Sequence, residues 1–176
     1  DELPAPLPDY AERDAEEIRE RIRWAGIVGL GGATFPTSVK VNPGPRQKID
    51  TLILNGAECE PYITCDDRLM RERAERIVAG LKILRRLLEP TQCLIGTEDN
   101  KPEAAAALRQ ALQAADQADV QVIEVPTKYP SGGERQLIKL LTGKEVPSQG
   151  IPAQIGILVQ NIATAAAIAD AVLDGK

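Results

Sequence analysis

The sequence predicts an α/β fold: a Rossmann-like layered domain, with helices flanking a four-stranded parallel sheet and a glycine-rich loop near the N-terminus. Three observations predict it. Short apolar runs recur at 51–55 (TLILN), 92–96 (QCLIG), 120–125 (VQVIEV) and 155–160 (IGILVQ), each about the length of a strand. Between them lie longer segments with apolar residues three and four apart, the spacing of a helix with one buried face. Strands that alternate with helices build parallel sheets covered on both sides.

Each element has its own grounds. Pro4, Pro6 and Pro8 make residues 1–10 an extended N-terminal arm, and residues 11–176 read as one domain. A helix begins near Ala11, buries Ala15, Ile18, Ile22 and Ala25, and ends at Gly26 and Gly29. Residues 26–36 (GIVGLGGATFP) form the glycine-rich loop, read as lying between a helix and a strand, and 42–48 (NPGPRQK) a second loop. Asn55-Gly56 closes the first strand. Helical spacing runs through 66–88 by way of Ile77, Leu81, Leu84 and Leu88. Pro102 suits the first position of the next helix, which buries Leu108, Leu112 and Ala115. Residues 131–141 read as a helix and 162–173 as an alanine-rich last helix. The stretch 146–169 carries no charge, but Pro147, Gly150, Pro152 and Gly156 interrupt it, so a loop, a buried strand and a helix explain it better than a membrane span.

Composition excludes several kinds of chemistry. The 176 residues are 43% hydrophobic and 27% charged, as in an ordinary globular protein. Only 3% are aromatic, so the core is aliphatic and base-stacking platforms are not expected. The net charge of −5 has the wrong sign for a nucleic-acid surface. The absence of histidine removes Ser-His-Asp and Cys-His catalysis, histidine metal ligands and histidine pH switches. The cysteines, Cys59, Cys65 and Cys93, are odd in number and form no C-x-x-C pair. No disulfide framework, zinc site or complete iron–sulfur site is expected within these residues, no metal ligands are assigned, and a reducing compartment fits best. The chain starts at Asp1 with no visible signal peptide and reads as a piece of a longer protein.

In parallel sheets, ligands bind outside the carboxyl ends of the strands. Those ends carry 55–61 (NGAECEP), 97–100 (TEDN), 126–133 (PTKYPSGG) and 161–164 (NIAT). Gly29, Gly31 and Gly32 either let backbone amides approach a phosphate or simply form a tight loop. They do not complete G-x-G-x-x-G, because Thr34 takes the last position. Lys40 is either a phosphate partner or a solvated surface lysine. Asn55, Glu58 and Glu60 suit a surface for a heterocycle or ribose, a solvated acidic turn, or a carboxylate pair for hydrolysis. Ser131 and Glu134 match the S-x-x-E capping box, and a helix start preceded by glycines also suits a polar ligand. Asn161 either caps the last helix or reaches the same crevice as Thr164.

Four of these segments, in this order, carry a resemblance. Residues 29–37 (GLGGATFPT), 55–61, 129–134 (YPSGGE) and 161–164 resemble the flavin and nucleotide segments of the NADH-oxidising flavoprotein subunit of respiratory complex I. Residues 26–37, 55–72, 95–102 and 128–147 are closer still to one branch, the C subunits of Rnf-type ion-translocating electron transport complexes. The resemblance spans about Arg23 to Ala169. It implies noncovalent FMN, exchange of electrons with NAD(H), and transfer to ferredoxin-type iron–sulfur centres coupled to ion translocation. By this resemblance Gly29, Gly31, Gly32 and Lys40 hold the flavin's phosphate and ribityl chain, and Asn161 and Thr164 the phosphate end. Asn55 and Glu58 meet the flavin, with Tyr129, Gly132, Gly133 and Glu134 on its other side. Phe35 and Glu60 face the NADH. No residue is assigned as a catalytic acid or base, because hydride transfer needs the rings positioned rather than a proton donor. Relative to complex I, Ala57 stands for an Asp and Gly133 for a Glu, and no second aromatic follows Lys40. The branch also implies two [4Fe–4S] clusters in a part of the protein outside this chain, other Rnf-type subunits as partners, and a peripheral place on the cytoplasmic face of the bacterial inner membrane. A docking module of the same complex with weak or no flavin binding is the alternative.

Overall fold

The computed structural model describes residues 5–176 except 33, 45, 46, 59 and 61, so Pro4, Ala33, Pro45, Arg46, Cys59 and Pro61 of the segments above lie outside the described residues. The elements are α1 (Ala15–Trp24), α2 (Thr37–Lys40), β1 (Thr51–Gly56), α3 (Cys65–Glu72), α4 (Ala74–Leu88), β2 (Gln92–Glu98), α5 (Pro102–Ala114), β3 (Gln121–Val125), α6 (Glu134–Thr142), β4 (Ile157–Asn161) and α7 (Ile162–Asp174), with 3-10 turns at Tyr10–Glu12 and Pro152–Ile155. The four strands form one parallel sheet in the order β3-β2-β1-β4.

Strand periodicity divides the core into two layers. Leu52 and Leu54 of β1, Cys93 and Ile95 of β2 and Leu158 of β4 pack with α1, α4, α5 and α7. Ile53, Leu94, Ile157 and Val159 point the other way, onto Leu137 and Ile138 of α6. The run 51–54 is therefore buried without interruption, as expected for a strand covered on both faces. On the first layer α4 and α7 touch most closely at Gly80, where an added Cβ would overlap the Ala165 carbonyl. The N-terminal segment joins this layer: Leu7 is buried and its N–H donates to the Val172 carbonyl at 2.7 Å.

Several element boundaries differ from those the sequence predicts. The first helix does not start at Ala11. A 3-10 turn precedes it, and Asp14 caps α1 by accepting the Glu16 N–H at 2.7 Å. The glycine-rich loop runs into α2, not into a strand. The helix expected over 66–88 breaks at Arg73 (φ −138°), whose guanidinium reaches Asp170 of α7 at 2.9 Å. No glycine or proline marks this break; a tertiary ion pair accompanies it. The Ser131–Glu134 capping box does not form, since α6 starts at Glu134 and Gly133 is its N-cap with no side-chain cap bond. The Gly132 carbonyl is instead taken by the Asn55 side chain, which donates to it at 2.8 Å. Gly156 (φ +73°) likewise delays β4 to Ile157, and its carbonyl accepts from Asp50 and Thr51 at 2.8 and 3.0 Å.

Gly80→Ala is expected to lower stability by about 2–3 kcal/mol through overpacking, although alanine improves helix propensity by about 1 kcal/mol. Urea unfolding followed by circular dichroism checks this. An unchanged midpoint would mean that the two helices can separate freely.

Candidate functional site

From β1 the chain steps outward through β2 to β3 and then returns to the other side of β1 as β4. The strand order therefore reverses between β1 and β4, and such a switch point leaves a crevice outside the carboxyl ends of the strands. Asn55 and Asn161 are register partners there. Two concavities among the described residues, one lined by Arg19, Asn42 and Leu87 and the other by Gln47, Asp50 and Gln154, lie at the opposite, amino ends of the strands. They take in none of the sequence-predicted site residues.

The glycine loop is closed by a Val28–Pro36 bridge and by the Gly29 N–H donating to Phe35 at 2.9 Å. It is fastened to the β4–α7 junction at two points. The Leu30 N–H donates to Thr164 Oγ1 at 2.9 Å, and Gly31 rests on Asn161, where an added Cβ would come within 3.1 Å of the asparagine Cβ. Gly32 has φ +135° and open space where a side chain would sit, a conformation and an opening that glycine supplies most readily. Asn161 caps α7: its Oδ1 accepts from the Ala163 and Thr164 N–H groups at 2.7 and 3.3 Å. Its Nδ2 donates to Asp66 Oδ2 at 2.7 Å. A helix N-terminus beside a glycine loop is a natural place for an anion, because amides and helix dipole both point positive charge at it.

Lys40 Nζ lies 3.2 Å from Glu134 Oε1 and ties α2 to α6. Asn55 ties β1 to Gly132 and, through Oδ1, accepts from the Ala57 N–H at 3.0 Å. The structure thus brings Gly29, Gly31, Gly32, Asn161 and Thr164 into one group, and Asn55 and Gly132, with Lys40 and Glu134, into ties between the surrounding elements. Phe35, Glu60 and Tyr129 stand exposed.

Glu58 is placed differently. Only 5% of its side chain is exposed, and its oxygens accept from the Asp66 and Asp67 N–H groups at 2.8 and 3.1 Å. Thr64, the N-cap of α3, makes no side-chain cap bond, so Glu58 supplies that cap from six residues upstream. Lys101 approaches the same carboxylate at 3.7 Å. Glu58 and Glu60 are therefore not an equivalent carboxylate pair: one is buried as a cap and the other is exposed.

Three charged groups at this end were not singled out as site residues from the sequence: Asp66, Glu98 and Lys101. Burial is the main cause pushing the Asp66 carboxyl up to about 6; the Asn161 bond opposes it, and the Glu58 charge adds to it. Burial also raises Glu98, against the pull of Lys101. Burial and the neighbouring Glu58 raise the Cys65 thiol. Glu98 lies in the strand-end segment 97–100, and all three lie in segments that carry the family resemblance, but only the acidic pair Asp66-Asp67 has a local signal, a helix's first turn, which the helix dipole alone explains.

The fold is thus that of a Rossmann-like α/β domain with polar groups gathered at its switch point. The particular family follows from comparison: residues 22–170 match the Nuo51 FMN-binding domain, and the chain belongs to that family. It is 55% identical over 171 residues to the C subunit of the ion-translocating oxidoreductase complex of Pseudomonas aeruginosa and 57% identical to that of Edwardsiella ictaluri. These matches cover 97% of this chain but 22% and 21% of the relatives, so the chain spans about a fifth of their length. Among solved structures, an NAD+-reducing [NiFe]-hydrogenase in the H2-reduced state aligns with TM-score 0.73 and 26% identity, covering 96% of this chain and 33% of that one. The air-oxidised state aligns with TM-score 0.76 at 24% identity, a likeness of fold, with the same coverage.

The Asp66 shift predicts a pH dependence. A carboxyl whose folded value lies above its unfolded one stays neutral in the folded state while the unfolded chain ionises. Its contribution is absent well below the ordinary aspartate value of 3.8, turns increasingly destabilising towards about 6, and is constant above that. Asp66→Asn should therefore gain stability over the parent chain as pH rises from about 4 to 6, reaching on the order of 2 kcal/mol, with no further gain above. Melting curves of both proteins from pH 4 to 8 test this; a difference that does not vary with pH would refute it.

Proposed function

We propose that residues 11–176 form one unit that binds FMN noncovalently at the β1/β4 switch point. The observation that carries this reading is the convergence there of the glycine loop and the capped N-terminus of α7, joined through Thr164 and Asn161. The donor set suits a phosphate through the helix dipole of α7, Lys40 and loop amides other than those of Gly29 and Leu30, which Phe35 and Thr164 already engage. In this reading Gly29, Gly31, Gly32, Lys40, Asn161 and Thr164 hold the phosphate and ribityl end. Asn55, Tyr129, Gly132, Gly133 and Glu134 border the ring system, and Glu58 acts by fixing the loop that follows β1. Phe35 and Glu60, exposed on the rim, take the nicotinamide nucleotide.

Bound FMN would supply hydride acceptance from a reduced nicotinamide and release of electrons one at a time. The chain's own residues bind and orient; they donate no proton to the reaction. Their placement on the ends of strands and helices limits motion of the site. Family membership supports the flavin, and the names of the relatives support a place in an ion-translocating oxidoreductase complex. We extend this to electron passage between NAD(H) and ferredoxin-type iron–sulfur centres, with two [4Fe–4S] clusters in the remainder of a longer protein and the other members of the complex as partners. The chain would sit peripherally on the cytoplasmic face of the inner membrane. No helix among the described residues is long and apolar enough to cross a membrane.

A second reading, a docking module with little flavin affinity, draws on the Lys40–Glu134 pair. A lysine already neutralised by a carboxylate is less available to a phosphate.

Titration of FMN and of riboflavin against the 176-residue chain, followed by flavin fluorescence, separates the two. The first reading expects saturable quenching by FMN at concentrations where riboflavin is not quenched, and a roughly tenfold weaker FMN affinity in Lys40→Ala. Folded chain that quenches neither flavin supports the docking module.

A further inference from the structure

We propose that Asp66 is the positioning residue of the phosphate cradle, holding Asn161 so that the glycine loop and the first turn of α7 keep one fixed relation. This deepens the FMN reading above and rests on it.

The argument starts with a carboxamide that has no freedom left. Asn161 Oδ1 must face the Ala163 and Thr164 N–H groups, because only an oxygen can accept them. Its Nδ2 must then face the other way, where Asp66 Oδ2 receives it at 2.7 Å. Two elements far apart in sequence, α3 and α7, fix one side chain between them. That side chain in turn supports the loop. Gly31 lies against its Cβ, and the Leu30 N–H is held by Thr164, whose own N–H is capped by the same Asn161 oxygen. Displacing Asn161 therefore shifts the loop and loosens the helix start together.

Asp66 is itself well anchored. Its N–H donates to Glu58 at 2.8 Å, and the residue is 9% exposed. Without Asp66 the Asn161 amide loses its acceptor at a part-buried position, and the asparagine is free to turn. Burying an ionisable group here costs stability that a neutral residue would avoid, which fits a role in the site better than a role in holding the fold. Asp66 is set back behind Asn161, so it acts through that residue rather than on the ligand.

The test uses the 176-residue chain as parent, Asp66→Ala and Asp66→Asn, with FMN and riboflavin as probes and hydrogen exchange on the ligand-free proteins. Asp66→Ala should weaken FMN binding roughly tenfold while riboflavin binding stays unchanged, and should speed exchange of the Leu30 amide. Asp66→Asn, which still offers an oxygen to Asn161, should restore both. Equal weakening of both flavins in Asp66→Ala, or an FMN preference and Leu30 protection equal to the parent's, overturns the proposal. Failure of the underlying reading looks different. A parent chain with no preference for FMN over riboflavin overturns the FMN site and the cradle role with it, whatever the variants do.

Discussion

The side chain of Asn161 is the constraint on which the site's geometry depends. It stands at the end of β4, beside Asn55 of β1, where the order of the strands reverses. Its oxygen serves the first turn of α7, its nitrogen serves α3, and its Cβ supports the glycine loop. A hydrogen bond of this kind contributes only about 1 kcal/mol to stability. Its larger effect is geometric, because one rigid amide gives three separate segments a common reference.

The position of Asn161 is secured in turn by the close approach of α4 and α7. Gly80 lets the two helices meet without an intervening side chain, and α7 follows β4 with no linker. The apolar layer between these helices and the sheet then fixes where the helix N-terminus points. Since protein interiors pack as densely as organic crystals, a shift of the helix would have to be transmitted through the whole layer. The crevice is thus built against this packed layer, while Phe35 and Tyr129 stand exposed.

The acidic groups around α3 show how the charges are held. Glu58 meets two backbone N–H groups at the positive end of the helix and lies near Lys101. The Asp66 carboxylate receives the Asn161 amide and faces the Glu58 charge, and burial dominates its behaviour. Two carboxylates of one cluster are thereby given different roles, one as a cap with strong donors and one as a weakly compensated acceptor.

The α/β class, the four strands and their parallel arrangement were legible in the residues alone. The reason is that short apolar runs and helical apolar spacing are local consequences of burying an element, and their alternation along the chain implies a parallel sheet. Asn55 and Asn161 could be placed at strand ends from the sequence, because the ends of parallel strands follow from topology, whereas the contact of the glycine loop with Asn161 and Thr164 is a product of folding. Resemblance to a known family gave these marks a chemical meaning that spacing did not. How the groups are used emerged only in the folded chain. Folding turned Glu58 into the cap of a helix whose N-cap lies six residues on, set the start of α6 at Glu134 with the Gly132 carbonyl held by Asn55, and broke the 66–88 segment at Arg73, which pairs with Asp170. It also brought Asp66 to Asn161 across 95 residues of chain. Such pairings depend on which elements pack together, and that is set by the shape of the whole core rather than by any local stretch of sequence.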